Sequence, residues 1–384
     1  MEEQTIGNDP FDSGILRRGD IRRFDGTGNH TDPILRTIGG VGTRYRRTTP
    51  IAFADGLQAP AGSDRPSARV VSNTVGAQDG ELTNARFMTD FIWNFGQFVN
   101  HDTDLALEGA EDPEHIAGNR DIDFPIPIPE DDPVFGPNGT NPMPGGQFRF
   151  ERDAFAPETG TTQNNVPGAA INTITAWLDL STVYGSDPEL DRSLQGSRRF
   201  RGVGMLSIME TPTGDLLPPD TDGLTGGGAF MGVGFLAGDV RANENDGLAS
   251  QHTLWVRNHN RLANALADAH PDWDGNRILQ RARQINIAQY QNIVLYEWLP
   301  ALLGSQFLTP YAGYDEGVDP QTTDTFAVAA LRIGHTLVSP TVRRRDANGD
   351  PLPEGDIAFL NSFGAGNITE GEDVDEILRG ISTG

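Results

Sequence analysis

Apolar positions recur at helical spacing in four stretches of this chain, and segments rich in glycine and proline separate them. In FIWNFGQFVNHDTDLAL, residues 91–107, Ile92, Phe95, Phe98 and Val99 fall three and four apart. That spacing predicts a buried or half-buried helix, part of a helical stretch from about Leu82 to Leu107. A second helix is predicted from about Leu248 to Ala269, with Leu254, Leu262, Ala263 and Leu266 on one stripe. A third runs from Arg277 to about Leu299. Its apolar residues Ile278, Ala282, Ile285, Ile293 and Trp298 spread around more than one face, which suits a central core helix that Pro300 ends or kinks. In FAVAALRIGHTLVSP, Phe326, Ala330, Ile333 and Leu337 form a fourth stripe, closed by Pro340.

The intervening segments read differently. Residues 1–80 are polar, with too little apolar content for a core of their own, and are expected to wrap as an irregular arm over a core formed elsewhere. Asp121 to Gly168 is a long extended connection dense in Pro and Gly, and Arg192 to Gly238, with Gly226, Gly227 and Gly228 in a row, is loop-like. The fold class that follows is mainly α, with long ordered loops and little sheet.

Composition removes several functions. The chain has 384 residues and no cysteine, so it has no disulfide, thiolate metal site or cysteine nucleophile. Its 29 basic residues are all Arg, against 54 acidic ones, for a formal charge of -25. That balance argues against a nucleic-acid surface and suits a salt-rich or extracellular setting, which base composition of the genome would explain equally well. No run of about 20 apolar residues occurs that could span a membrane, and the first residues, MEEQTIGNDPFDSG, lack the basic and apolar parts of a signal peptide.

Candidate chemistry sits inside the helical stretches and just before one of them. Gln97 and His101 are four apart and project from one side of their helix, whereas Asp102 is rotated about 100° away. His335 lies in the fourth stripe, so two imidazoles could face a common cavity. Arg241 and Glu244 stand in a glycine-flanked loop that could carry them into a cleft, although a solvated loop is the default for such charges. In INTITAWLDLSTVYGSDPEL an extended backbone would aim Thr175, Asp179 and Ser181 to one side. Oxygens converging with a carboxylate suit calcium, and Asp102 would be the second carboxylate; an ordinary edge strand is the alternative. The other histidines, 30, 115, 252, 259 and 270, read as surface or structural.

GQFVNHDTD, TAWLDLSTVYGS, GDVRANEN, HTLWVRNHNRLA, WDGNRILQRARQI and LRIGHTLVSP, in that order, resemble the animal-type haem peroxidases of the peroxidase–cyclooxygenase superfamily from about Arg22 to the end. The resemblance implies a helical haem peroxidase domain over 81–384 that binds haem b and Ca2+ and reduces hydrogen peroxide at the expense of a halide, a pseudohalide or a small aromatic donor. It makes His335 the iron ligand, and His101, Arg241 and Gln97 the catalytic group. It places Arg332 near the haem propionates. Asp102, Thr175, Trp177 (through its carbonyl), Asp179 and Ser181 become the calcium ligands. Glu244 matches a glutamate that forms an ester with the haem. Asn100 replaces the companion aspartate and Asn245 a methionine used by a few relatives, so at most one covalent link is expected. Fatty-acid dioxygenases of the superfamily carry a tyrosine where this chain has Arg332. The alternatives are such a dioxygenase or a catalytically silent calcium-binding or adhesion module. Relatives continue beyond ILRGISTG into helices that hold an asparagine bonded to the proximal histidine.

Overall fold

The computed structural model describes residues 22–383 apart from 79, 81, 119–121, 144, 197–203 and 226–233. The glycine run 226–228 and the first residues of the arm lie outside them. In chain order the helices are α1 (Ala68–Val75), α2 (Phe91–His101), α3 (Pro113–Ile116), α4 (Ser181–Tyr184), α5 (Pro188–Leu194), α6 (Asp246–Ala269), α7 (Gly275–Ile293), α8 (Leu299–Leu303), α9 (Asp324–Val328) and α10 (Gly371–Thr383). Sheet among the described residues is confined to three antiparallel pairs, β1 (Ile126–Pro127) with β2 (Gln147–Phe148), β3 (Met209–Thr211) with β4 (Gly214–Leu216), and β5 (Thr341–Val342) with β6 (Ile357–Ala358).

The core forms where α2 meets α6 and α7. Phe95 and Phe98 of α2 are fully enclosed and meet Tyr290 of α7 edge-on at 6.1 and 6.0 Å, while Phe98 stacks on Trp255 of α6 at 6.4 Å. Burying each ring stabilises the fold by about 1.5–3 kcal/mol, so this aromatic block fixes the position of α2. A second cluster, built from Val374, Ile377 and Ile381 of α10 with Ala249, Leu216, Val342 and Ile357, holds the C-terminal helix against α6 and the small strands.

Sequence signals set several helix starts. Asn245 caps α6 by accepting from Leu248 N–H at 2.9 Å, and Asp274 caps α7 by accepting from Arg277 N–H at 2.8 Å. Thus α6 begins two residues earlier than its apolar stripe suggests.

Four expectations need correcting. First, α2 ends at His101 and residues 82–90 are not helical. After His101 the chain turns so that the Asp102 carboxylate meets the N–H groups of Asp179 and Leu180, and Leu107 N–H pairs with Ile171. Second, the helix after Asp274 is not stopped by Pro300. A π-helical turn, Val294–Trp298, follows α7 and leads into α8, where the proline occupies the first turn and its missing N–H costs nothing. Third, the fourth apolar stripe is not one α-helix. It breaks at Ala329 and continues as a 3-10 segment, Ala330–Thr336, with Ile333 half exposed. Without packing on that side nothing sustains the α geometry. Fourth, Thr175–Leu180 is a series of bends and not a strand, and Leu180 adopts the left-handed conformation at φ 55° before α4 begins.

The N-terminal segment is irregular apart from α1 and lies against the rest of the chain. Arg44 and Arg46 bridge to Ile171 and Thr323, and Arg22 forms an ion pair with Asp179 at 3.1 Å.

Candidate active site

A cavity of about 570 Å³ opens along α2. Its wall includes Gly96, Gln97, Asn100 and His101 from α2, Arg241, Glu244 and Asn245 from the loop before α6, Trp298 and Leu302, and Leu331 to His335 from the 3-10 segment. The candidate side chains 97, 101, 241, 244, 332 and 335 therefore meet in one space. Its size is ordinary for a cofactor site.

The histidine segment is tied to α2 at two points. Arg332 donates to Asn100 near the C-terminal end of that helix and pairs with Asp104 at 3.5 Å, and Ser339 Oγ donates to Asp90 at its N-terminal end at 2.6 Å. His335 lies between the two ties and is open to the cavity.

His101 is buried, and burial, reinforced by the charge of Arg241, pushes its pKa well below the usual 6.5. The ring is neutral at pH 7. Arg241 is held in a fixed pose: Nε and Nη2 each donate to the Asp239 carboxylate at 2.8 Å, Nη1 donates to Asp104 O at 2.9 Å, and Nη2 also reaches His101 O at 3.2 Å. Burial opposes ionisation of Asp239, but the charge and hydrogen bonds of Arg241 win and hold its carboxyl well below the ordinary range. Asp239 also accepts from the Arg241 N–H at 2.9 Å, which shapes the turn. Gly238 permits this turn to approach α4 closely, since a Cβ there would meet Ser181 O and Thr182 O at 2.5 Å.

Gln97 accepts from Asn245 Nδ2 at 3.0 Å and hydrogen-bonds Glu244, whose pKa burial raises. The loop carrying these residues is clamped from outside, because Gly364 N–H donates to Glu244 O and Asp246 N–H to Ser362 O.

The chain matches a family pattern over nearly its whole length: the model for animal haem peroxidase fits residues 21–384. The chain belongs to the animal haem peroxidase family. It is 34% identical to the peroxidasin homolog of Mus musculus over 94% of its length, and 30% identical to human thyroid peroxidase over 89%. The chain spans 26% and 40% of those two proteins. Among solved structures it is similar to peroxidase A of Dictyostelium discoideum (TM-score 0.77, 27% identity, 94% of this chain and 68% of that one). The fold is also that of the Oryza sativa fatty acid alpha-dioxygenase (TM-score 0.68, 20% identity, 96% of this chain and 59% of that one).

A haem peroxidase needs room for a flat macrocycle, and a cavity of about 570 Å³ is of the size of ordinary cofactor sites. A Cβ at Gly334, next to His335, would meet no atom within 4 Å, and His335 makes no hydrogen bond to the described residues that would occupy its imidazole. Asn100 does not face the cavity idly: its amide donates to Asp104 and accepts from Arg332. Arg332 is thus engaged with α2. Asp104, buried between Arg241 and Arg332, has its pKa raised by burial to about 6.

Behind α2, Asp102, Thr175, Asp179 and Ser181 are all buried and hydrogen-bonded to one another. Ser181 Oγ donates to Asp102 at 2.9 Å and Thr175 Oγ1 to Asp179 at 3.0 Å. The Trp177 carbonyl accepts from Asp179 N–H at 2.9 Å. Burial and the charge of Asp179 push the Asp102 pKa well up. Among the described residues no group of three or more His, Asp or Glu gathers as metal ligands; this cluster has two carboxylates and two hydroxyls.

Sequence reasoning missed Asp239 and the Asn100–Asp104–Arg332 bridge. The spacing Asp239–Val240–Arg241 was a usable signal, because an Asp two residues ahead commonly bonds the backbone in such a turn. Of the remaining histidines, His252 and His259 are enclosed, His30 bonds Glu316 O at 3.1 Å, and His270 stacks on Trp273 at 4.0 Å. The side chain of His115 lies outside the described ones.

Proposed function

We propose that this chain is the catalytic part of a haem-dependent peroxidase that reduces hydrogen peroxide and oxidises a halide, a pseudohalide or a small aromatic donor. The observation that carries the reading is that one cavity is lined by His101, Arg241 and Gln97 together with His335. His335 would hold the haem iron, since an imidazole nitrogen is a common haem-iron ligand and this one lines the cavity. Bound haem would supply the electrons that cleave the O–O bond and then draw them back from the donor. His101, neutral at pH 7, would take a proton from the peroxide oxygen nearest it and return it to the departing oxygen as water. Arg241, fixed by Asp239, carries a permanent positive charge toward the negative charge that develops on that oxygen. Gln97 would orient peroxide, water or a small anion beside His101.

Asp102, Thr175, Asp179 and Ser181, with the Trp177 carbonyl, would bind Ca2+. Two adjacent buried carboxylates with Arg22 as their close countercharge form a site that a further cation stabilises. Since Asp102 follows His101, the ion would brace the catalytic helix. Glu244 would form at most one ester with the haem, and Asn100 none. A dioxygenase reading is disfavoured by Arg332, which occupies the position of the required tyrosine and is tied to Asn100 and Asp104.

The test is reconstitution with haem. A Soret band that shifts on adding peroxide, with guaiacol oxidised and no oxygen uptake on a fatty acid, is expected. His335→Ala should abolish the band. A band unchanged in that variant removes the ligand assignment, and fatty-acid oxygen uptake without guaiacol turnover reverses the choice of enzyme.

A further inference from the structure

Three buried polar atoms have no hydrogen-bond partner among the described residues: His101 Nδ1, His252 Nε2 and Thr182 Oγ1. Orphaned buried polar groups are rare in native proteins, and several together call for a shared partner. Asp239 supplies a fourth group. Its Oδ1 lies 3.9 Å from His101 Nδ1, too far for a direct hydrogen bond and suited to a bridging water. The two imidazoles are close enough to influence one another electrostatically, and both feel the charge of Asp239.

The hydrogen positions follow from the fixed neighbours. His252 Nδ1 is 3.0 Å from Thr182 O, a carbonyl that only accepts, so Nδ1 carries the hydrogen and Nε2 carries the lone pair. The ring is neutral, because burial lowers its pKa to about 4. Asp239 is ionised and accepts only. A single water placed among these groups would donate one hydrogen to His252 Nε2 and the other to Asp239 Oδ1. Its two lone pairs would accept from the Thr182 hydroxyl and from an N–H, which only His101 Nδ1 can provide. Every orphan is then satisfied. His101 is left in the tautomer with hydrogen on Nδ1 and a free lone pair on Nε2.

We propose that His252 is a positioning residue: with Asp239 and Thr182 it holds one buried water against His101 Nδ1 and so fixes the tautomer that leaves Nε2 able to accept a proton. What the free nitrogen is used for rests on the peroxidase reading; the water and the tautomer do not.

The experiment compares wild type, His252→Phe and His252→Gln. Phenylalanine keeps a ring edge-on to Phe98, now at 5.0 Å, but offers the water no acceptor, whereas glutamine keeps a polar atom near the position of Nε2. On the haem-loaded proteins, the second-order rate constant for the first reaction with peroxide should fall about 10- to 100-fold in His252→Phe. Most of that loss should be recovered in His252→Gln, with haem content unchanged in both. A high-resolution crystal structure of the wild type should show an ordered water within hydrogen-bonding distance of His101 Nδ1, His252 Nε2 and Asp239. A His252→Phe rate equal to wild type, a glutamine variant no better than phenylalanine, or a dry space with His101 Nδ1 bonded to a protein group overturns the proposal. If the wild type binds no haem or ignores peroxide, the proposed function fails, and the crystallographic water still decides the inference. That readout also stands if His252→Phe does not fold.

Discussion

Replacing His259 with Phe should weaken the fold by an amount that depends on pH in a calculable way. His259 lies in α6 and is fully enclosed; Nε2 is 3.0 Å from Gly204 O, so it donates, and Nδ1 accepts from Tyr184 O–H at 2.9 Å. Tyr184 O in turn accepts from Asn286 Nδ2 of α7 at 2.9 Å, which makes a buried chain linking α4, α6 and α7. Phenylalanine keeps the edge-on ring contact with Tyr184, now 5.5 Å, but leaves the tyrosine O–H donor and the Gly204 carbonyl without their partner. At roughly 1–3 kcal/mol for each, the loss at pH 7.5 is about 2–6 kcal/mol. Burial lowers the His259 pKa to about 3. A histidine depressed in the folded state contributes stability above its unfolded pKa of about 6.5 and loses it as the pH falls, because the unfolded chain takes a proton that the folded one refuses. Between pH 6.5 and 5.0 that removes about 2 kcal/mol, a figure set by the unfolded pKa alone while the folded one stays below about 4. Urea unfolding followed by circular dichroism should therefore show the gap between wild type and His259→Phe narrowing by about 2 kcal/mol from pH 7.5 to 5.0. Asp104 and Asp246, raised by burial to about 6, shift stability in the opposite direction over this range, but they are common to both proteins and cancel in the difference. A gap that stays constant with pH would show that His259 is not held neutral in this chain of hydrogen bonds.

Gly96→Ala should lower the melting temperature although alanine is the better helix former by about 1 kcal/mol. Its Cβ would lie 3.0 Å from Trp298 Cζ2, and Trp298 is pinned by its Nε1–H to Ile92 O at 2.8 Å, so overpacking of about 1–3 kcal/mol wins; a rise in melting temperature would refute this. Ca2+ at one hundred times its dissociation constant should stabilise the protein by about 2.7 kcal/mol in thermal melts and should have no effect on Asp102→Asn; equal responses from the two would remove the site.

Much of the site was legible because its parts are local. The four-residue spacing of Gln97 and His101 puts both on the cavity side of α2, and the turn carrying Arg241 and Glu244 adjoins α6 in sequence. Long-range consequences were not legible. Nothing near Asn100 announces that its amide will bridge Asp104 to Arg332, 232 residues away, and the apolar stripe around Ile333 has helical spacing without the packing that would keep it helical. The π-turn at Val294–Trp298 was likewise invisible, since a turn with one extra residue leaves no mark in a periodic pattern read over a short window.

The segment bearing His335 hangs beside α2 like a bridge deck between two piers, Arg332 on Asn100 and Ser339 on Asp90. Its span is therefore adjustable without replacing either imidazole: Ser339→Ala or Asn100→Ala would slacken one pier and let the 3-10 segment shift against α2. Substitution at those two supports offers a way to alter the width of the cavity while His101 and His335 themselves stay as they are.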